Sequence, residues 1–167
     1  MTVSAQDVEQ AFKQTFLSSH RTRLVGGAPE PLYLPSDDAR PAEIHYRDDF
    51  VSSALHEVAH WCIAGAARRG QVDYGYWYAE EGRDPEAQIA FERVEVRPQA
   101  LECLFSEALG VPFRVSIDNP GCELDPAPFA AAIEAQCRRY RADGLPPRAR
   151  RFRDALGALK SAGARVA

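Results

Sequence analysis

The sequence predicts an α+β protein in which several helices pack with a small β-sheet. Apolar residues recur at helical spacing in several long segments, and short β-like stretches bounded by proline and glycine lie near the N-terminus. Hydrophobic residues make up 46% and charged residues 26% of the 167 residues, which is the composition of an ordinary globular protein able to bury a core. The chain shows no internal repeat or linker, so we expect residues 1–167 to form a single domain.

The N-terminal region is predicted to contain one helix followed by β-strands. The stretch SAQD resembles a helix-capping signal, and Val8, Phe12 and Phe16 recur one helical turn apart, so the first helix is expected to end near Ser19. The proline- and glycine-rich region that follows contains three short β-like pieces, at Arg23–Val25, Leu32–Leu34 and Ile44–Tyr46.

The most regular helical pattern covers residues 50–68. Apolar residues there keep an i, i+4, i+7, i+11 rhythm, at Val51, Leu55, Val58 and Cys62. The next stretch, QVDYGYWYAEEGRD, is too aromatic and too interrupted for a helix interior, so it is predicted to be strand and loop.

The C-terminal half is predicted to be mainly helical. A helix is expected from about Pro85 to Leu109, with either a kink at Pro98 or two helices meeting end to end there. Phe113–Ile117 is predicted as a short strand followed by the turn DNPG. Two amphipathic helices follow, with apolar residues at Phe129, Ile133 and Tyr140 and then at Phe152, Leu156 and Leu159, and the tail SAGARVA is expected to fray.

The composition excludes several classes of partner. A formal net charge of −4 argues against a general nucleic-acid binder, which needs clustered basic residues. No apolar segment approaches the roughly 18 residues that span a bilayer, and the N-terminus shows no secretion signal. The four cysteines form no CxxC pair and are interpreted as reduced thiols. We therefore expect a cytoplasmic monomer that binds neither nucleic acid nor membrane.

The sequence LHEVAHWCIAG contains a candidate metal site. His56 and His60 are four residues apart, so on a helix both imidazoles project from one face and can bind one cation. Glu57 points to the side, where it can touch a metal-bound water without binding the metal. The alternative is a helix with one buried, hydrogen-bonded histidine and one exposed histidine. His20 and His45 lie outside any such cluster.

A catalytic metal needs at least one more protein ligand. The extended motif HExxHxxGxxH is excluded, because Ile63 and Ala66 occupy its glycine and third histidine positions. The third ligand must then be a carboxylate, and the stretch FERVEVRPQALECLF offers Glu92, Glu95 and Glu102. Glu95 is preferred because it lies between two valines just before Pro98, which suggests a partly buried carboxylate. Asp73 is an outside candidate.

Longer motifs resemble the bacterial elongation factor P hydroxylase family. These are HEVAHWCIAGAARR, VDYGYWY, GRD and FERVEVRPQAL, together with TRLVGG, EPLYLP and the SIDN turn. The resemblance covers roughly residues 22 to 120. It implies metal ligands at His56, His60 and Glu95, a zincin-like α+β core, and hydroxylation of the lysylated lysine side chain of elongation factor P, which would be the protein substrate.

The implied activity fits the ligand types. Two histidines and one carboxylate leave coordination positions open, and with Fe(II) this arrangement suits the activation of dioxygen. With zinc the same ligands would polarise water, and manganese is a further option. We expect Fe(II) with dioxygen as co-substrate. Glu57, the expected catalytic residue, would then move protons or orient a bound water.

Aromatic residues after the metal helix are candidates for substrate binding. A lysylated lysine arm is long and cationic, so cation–π contacts could come from Tyr74, Tyr76, Trp77 and Tyr78. Nearby acids could pair with its ammonium groups, namely Glu80, Glu81 and Asp84, while Arg68 and Arg69 could dock the partner. The alternative is that the aromatic residues fill the core and the acids are solvated.

The sequence also allows two other functional classes. A small zinc metallopeptidase could use the same HExxH geometry, but it would need a substrate cleft and cleavage activity. A binding module with structural zinc would be closed by four ligands rich in cysteine. Cys62 lies two residues after His60 on a different helical face, which argues against such closure.

Overall fold

The computed structural model of the protein describes residues 2–76 and 82–166. Within these ranges the regular elements are α1 (Ala5–His20), β1 (Thr22–Ala28), β2 (Leu32–Leu34), β3 (Ala42–Arg47), α2 (Val51–Ile63), α3 (Ala66–Arg69), α4 (Pro85–Leu109), α5 (Ala127–Asp143) and α6 (Pro147–Val166). Helices and a small sheet are both present, so the predicted α+β class is confirmed.

Helix α1 begins where the sequence predicted. The Ser4 hydroxyl accepts a hydrogen bond from the Asp7 amide at 3.2 Å, and the Asp7 carboxylate accepts one from the Ser4 amide at 2.9 Å. This reciprocal pair satisfies amides that the first helical turn would otherwise leave unpaired. Val8, Phe12 and Phe16 are fully buried, as the helical spacing predicted.

The sheet has the strand order β1-β3-β2, and each strand contains one of the predicted β-like pieces. Strand β3 is central, pairing parallel with β1 and antiparallel with β2. Alternate residues of β3 point into the core, where Ala42, Ile44 and Tyr46 are buried. Helix α2 follows β3 after three residues, so the sheet fixes where the histidine-bearing helix begins.

Helix α2 is shorter than predicted. The expected helix over residues 50–68 ends at Ile63, and Ala64 and Gly65 are extended before the separate short helix α3. The Arg148 side chain, from α6, explains this end because it donates to the carbonyl oxygens of Cys62 at 3.2 Å and Ala64 at 2.6 Å. It satisfies backbone acceptors that a continued helix would have satisfied internally.

Two further predictions in this region need correction. After Gly70 the chain forms a 3-10 turn at Val72–Gly75 and not a strand, while the rest of the aromatic stretch, residues 77–81, lies outside the described residues. Phe113–Ile117 is irregular and not a strand. Its backbone is held by side chains of α4: the Ser116 amide donates to Gln99 Oε1 at 3.0 Å, and Gln99 Nε2 donates to the Ser116 carbonyl at 2.7 Å.

Helix α4 runs without interruption through Pro98, so of the two predicted arrangements, a kink or two helices meeting end to end, the second is excluded. Proline lacks the amide that would bond the carbonyl of Val94, but the 25-residue helix tolerates this loss because Pro98 and the three residues after it are buried against neighbouring elements. The helix begins after the N-cap residue Asp84 and ends at Gly110, which has a left-handed conformation.

The two C-terminal helices are confirmed as α5 and α6. Helix α6 continues through Val166 and so includes most of the SAGARVA tail, which the sequence predicts to fray. In the parts of the chain that the structure describes, no helix has both the length and the apolar character needed to cross a membrane.

An aromatic cluster anchors α2 in the core. Its members are all buried and come from α1, α2, α4 and α6: Phe12, Phe16, Trp61, Phe105 and Phe152. Trp61 follows His60 directly, and its ring centroid lies 4.8 Å from that of Phe16 and 5.3 Å from that of Phe12. This packing fixes the rotation of α2, and therefore the direction of its histidine-bearing face.

We expect Arg148→Met to destabilise the protein by about 1.5–3 kcal/mol, because it removes charge-assisted hydrogen bonds to the end of α2 while keeping most of the side-chain volume. Denaturant unfolding measures the change. Arg150→Met is the matched control, since Arg150 is exposed on the same helix, and it should alter stability by less than about 0.5 kcal/mol. Equal effects of the two substitutions would contradict this account of the helix end.

Candidate metal centre

Three side chains from two helices converge on one point. His56 and His60, on α2, place their Nε2 atoms 3.1 Å apart. Glu95, on α4, places its Oε1 atom 2.9 Å from His60 Nε2 and its Oε2 atom 3.6 Å from His56 Nε2. Among the described residues these three form the one group of histidine, cysteine or acidic side chains close enough to share a metal ion.

The spacing of these atoms fits a metal ion. Two ligand atoms that each lie about 2.1 Å from one ion are about 3.0 Å apart in adjacent octahedral positions. In a tetrahedral site they are about 3.4 Å apart. The two Nε2 atoms are 3.1 Å apart, and each Glu95 oxygen approaches one of them, Oε1 at 2.9 Å and Oε2 at 3.6 Å, so the separations are of the size that a shared ion requires. The donor set also fits, because two imidazole nitrogens and one carboxylate suit zinc, iron or manganese.

The ionisable groups at this point shift one another's pKa values strongly. Burial by itself would lower the pKa of His56, but the hydrogen bond to Glu102 and the charge of Glu95 outweigh it and raise that pKa to about 10. Burial would likewise raise the pKa of Glu95, yet the two histidines bring it down to about 2. The Glu95 side chain is 2% exposed, so its negative charge is paired within the protein.

Gln99 holds Glu95 in place. It lies one helical turn beyond Glu95 on α4, and its Nε2 atom donates to Glu95 Oε2 at 3.2 Å. The same amide group pairs with both backbone groups of Ser116, so one side chain fixes the carboxylate and the neighbouring loop. Gln99 therefore orients one oxygen of the carboxylate independently of the two histidines.

Glu57 lies beside the cluster and not within it. It is half-buried and lines the same pocket as the two histidines. Burial raises the pKa of Glu57, while the nearby His56 and His60 lower it in part. A carboxyl group whose pKa is raised in this way can hold and release a proton closer to neutral pH than an exposed glutamate can.

The other acidic candidates have different partners. Glu92 accepts a hydrogen bond from Gln88 Nε2 at 3.4 Å, and Asp73 accepts one from the Tyr33 amide at 2.8 Å. Glu102 contacts the Nδ1 atom of His56 at 2.8 Å, on the far side of the ring from the cluster. Of the four acids that the sequence offered, Glu95 is the one that the fold brings to both histidine Nε2 atoms.

The cluster opens into a pocket of about 1300 Å³. Its lining includes the three cluster residues and Glu57. Tyrosines from two segments also line it, namely Tyr33, Tyr74 and Tyr76. Carboxylates from several loops also line it, at Glu30, Asp49, Asp73 and Asp118. A pocket with this lining can accept a long side chain that carries positive charge.

The structure places two of the four predicted substrate-binding aromatic residues. Tyr74 is buried and its ring stacks on that of Tyr33 with a centroid distance of 4.2 Å. Tyr76 is 39% exposed, and the Arg68 guanidinium lies 4.0 Å from its ring centroid, so one face is already occupied by a cation of the protein itself. Trp77 and Tyr78, like Glu80 and Glu81, lie outside the described residues.

The backbone that carries Tyr74 is unusual. Asp73, Tyr74 and Gly75 all have left-handed conformations, with φ of 49°, 59° and 71°. Such a conformation is costly for a tyrosine and is found mostly where surrounding structure enforces it, often at functional sites. The buried Tyr74 hydroxyl has no hydrogen-bond partner among the described residues.

Sequence reasoning missed two supporting residues. Gln99 was not considered, and Glu102 was considered as a ligand when it in fact contacts the outer nitrogen of His56. A signal was present, since Glu95, Gln99 and Glu102 follow at i, i+4 and i+7, which places three polar side chains on one helical face. All three are buried in the structure.

The fold and the site define an α+β protein with a two-histidine, one-carboxylate cluster at the base of an open pocket. Comparison with known proteins narrows this class. The model of the family described as elongation factor P hydroxylase matches residues 11–163. An elongation factor P lysine hydroxylase from Haemophilus influenzae is 45% identical over 161 residues, which cover 93% of this chain and 89% of that protein.

The chain belongs to the elongation factor P hydroxylase family. The resemblance carried by its sequence motifs is therefore confirmed, and it extends well beyond residues 22 to 120. Membership favours the hydroxylase interpretation over the metallopeptidase alternative, even though both share the HExxH spacing.

We expect the protein to bind one Co²⁺ ion, used as a spectroscopic probe, and to gain about 2.7 kcal/mol of stability at a free concentration one hundred times the Kd. His60→Ala and Glu95→Ala should each abolish this stabilisation, because each removes a ligand atom. Thermal unfolding with and without Co²⁺ measures it. His45→Gln is the control, since His45 pairs with Glu43 on the sheet; loss of binding in that variant would argue against the assigned cluster.

Proposed function

We propose that this protein hydroxylates the lysylated lysine side chain of elongation factor P, using a divalent metal held by His56, His60 and Glu95. The observation that carries the proposal is the convergence of three ligand atoms at the base of a large pocket, in a member of this family. An Fe(II) ion on such a ligand set supplies the binding and activation of dioxygen.

The reaction balances as a monooxygenation. One oxygen atom of dioxygen enters a carbon–hydrogen bond of the substrate, and the other leaves as water after taking up two electrons and two protons. A two-electron reductant must therefore act with the enzyme. The zincin-like core, the single-domain organisation, the monomeric state and the cytoplasmic location expected from the sequence remain part of this proposal.

The pocket supports the substrate assignment through its charges and shape. The lysylated arm carries ammonium groups, and the carboxylates of Glu30, Asp49 and Asp73 line the walls that it would pass. The exposed face of Tyr76 remains a candidate for a cation–π contact, worth about 0.5–2 kcal/mol. Trp77 and Tyr78 keep the same proposed role on the basis of the sequence alone.

Glu57 is the proposed proton carrier. It lines the pocket next to both histidines, but it does not belong to the ligand cluster, so it can exchange a proton without giving up a metal bond. Burial raises the pKa of Glu57, which moves its proton exchange towards neutral pH. The stacked rings of Tyr33 and Tyr74 form part of the same pocket wall.

Intact-mass analysis tests the function directly. Lysylated elongation factor P, incubated with the Fe(II)-loaded protein, dioxygen and a reductant, should gain the mass of one oxygen atom. His56→Ala should give no gain, whereas His45→Gln should react like the wild-type protein. Unchanged mass with Fe(II) and with Mn²⁺, or cleavage of elongation factor P in their place, would contradict the proposal.

Glu57→Gln separates proton transfer from metal binding. We expect turnover to fall about 10²–10⁴-fold, since a positioned acid or base typically contributes that much. The Co²⁺ affinity should stay within about threefold of the wild-type value, because Glu57 is outside the cluster. Full turnover in this variant would exclude Glu57 as the proton carrier.

A further inference from the structure

The carboxylate of Glu102 has a single hydrogen-bond partner among the described residues. Its Oε2 atom lies 2.8 Å from His56 Nδ1. The residue is 7% exposed and comes from α4, whereas His56 comes from α2, so the contact joins the two helices at the site. A carboxylate left without a partner in the interior would be costly, so the contact with His56 is what makes the burial of Glu102 tolerable.

This contact determines which nitrogen of His56 carries hydrogen. An ionised carboxylate is an acceptor with no hydrogen to give, so the Nδ1 atom must donate to it. In the neutral imidazole the lone pair is then on Nε2, the atom that faces His60 and Glu95. The contact also restricts rotation of the ring, since it fixes one end of it.

Helix α4 supplies both groups from one face. Glu102 follows Glu95 by seven residues, or two helical turns, which is about 10.5 Å along the axis. Glu95 approaches the Nε2 side of the His56 ring while Glu102 approaches the Nδ1 side. Helix α4 therefore contacts the His56 ring on both of its nitrogen sides, while α2 carries the ring and contributes His60, whose Nε2 atom lies 3.1 Å from His56 Nε2.

We propose that Glu102 is a positioning residue, which selects the Nε2-binding form of His56 and thereby sets the affinity of the centre for its metal. The inference rests on the metal site of the proposed function. Glu102 is not a fourth ligand, because its carboxylate lies against the nitrogen that points away from the cluster. Outer partners of metal-bound histidines typically contribute 10–100-fold to metal affinity.

The competing explanation is that Glu102 merely holds α2 against α4. Three variants separate the two roles. Glu102→Leu replaces the acceptor with an apolar side chain of similar size, and Glu102→Gln keeps an oxygen that can accept from Nδ1 but removes the charge. Glu107→Gln is the matched control, since Glu107 is exposed on the same helix and pairs with Arg141 at 2.5 Å.

The affinity for Co²⁺ and the visible absorption of the bound ion are the measurements. Glu102→Leu should weaken Co²⁺ binding about 10–100-fold and shift the absorption bands, because ring orientation is lost. Glu102→Gln should recover part of the affinity, and Glu107→Gln should match the wild-type protein. Thermal unfolding with a chelator present reports how far each variant is destabilised without metal.

The outcomes distinguish this inference from the proposed function. Wild-type Co²⁺ affinity and absorption in either Glu102 variant, whatever its stability without metal, would overturn the positioning role. If Glu102→Leu does not fold, Glu102→Gln decides the question through the same two measurements. If the wild-type protein binds no Co²⁺, both proposals fall. If it binds Co²⁺ and Glu102 behaves as expected, but elongation factor P is not modified, the inference stands and the proposed function fails.

Discussion

Negative charge buried between two helices is the constraint on which the rest of the structure depends. Glu95 is 2% exposed and lies between the Nε2 atoms of two histidines, while Glu102 is buried on the other side of His56. Carboxylates are stable in such surroundings only when cations or hydrogen-bond donors surround them. The contact between α2 and α4 is therefore a polar one at its centre, and the neighbouring elements serve to hold it together.

The apolar core keeps this polar contact rigid. Trp61, one residue after His60, packs against Phe16 with a centroid distance of 4.8 Å, and Arg148 satisfies the carbonyl oxygens at the end of the same helix. All three candidate ligands lie on helices and none on a loop. Sites on packed helices vary less in geometry than sites on loops, which suits a centre that must hold ligand atoms within a few tenths of an ångström.

The sequence predicted the parts of the site that local spacing determines. The pairing of His56 with His60 follows from the helical repeat, and the choice of Glu95 followed from its apolar neighbours. Contacts between distant residues were not predictable in this way. Helix α2 ends at Ile63 because Arg148, 86 residues beyond Cys62, donates to the carbonyl oxygens at the helix end. Phe113–Ile117 forms no strand because the side chain of Gln99 occupies the backbone groups of Ser116. Periodicity carries no information about either partner.

Gln99 connects the cluster of His56, His60 and Glu95 to the pocket wall, so the two are mechanically coupled. One amide group donates to Glu95 and also pairs with both backbone groups of Ser116, which lines the pocket. A side chain shared in this way cannot follow a shift of the loop without changing its contact with the carboxylate. A displacement of the loop at Ser116 would therefore also disturb the hydrogen bond that orients Glu95.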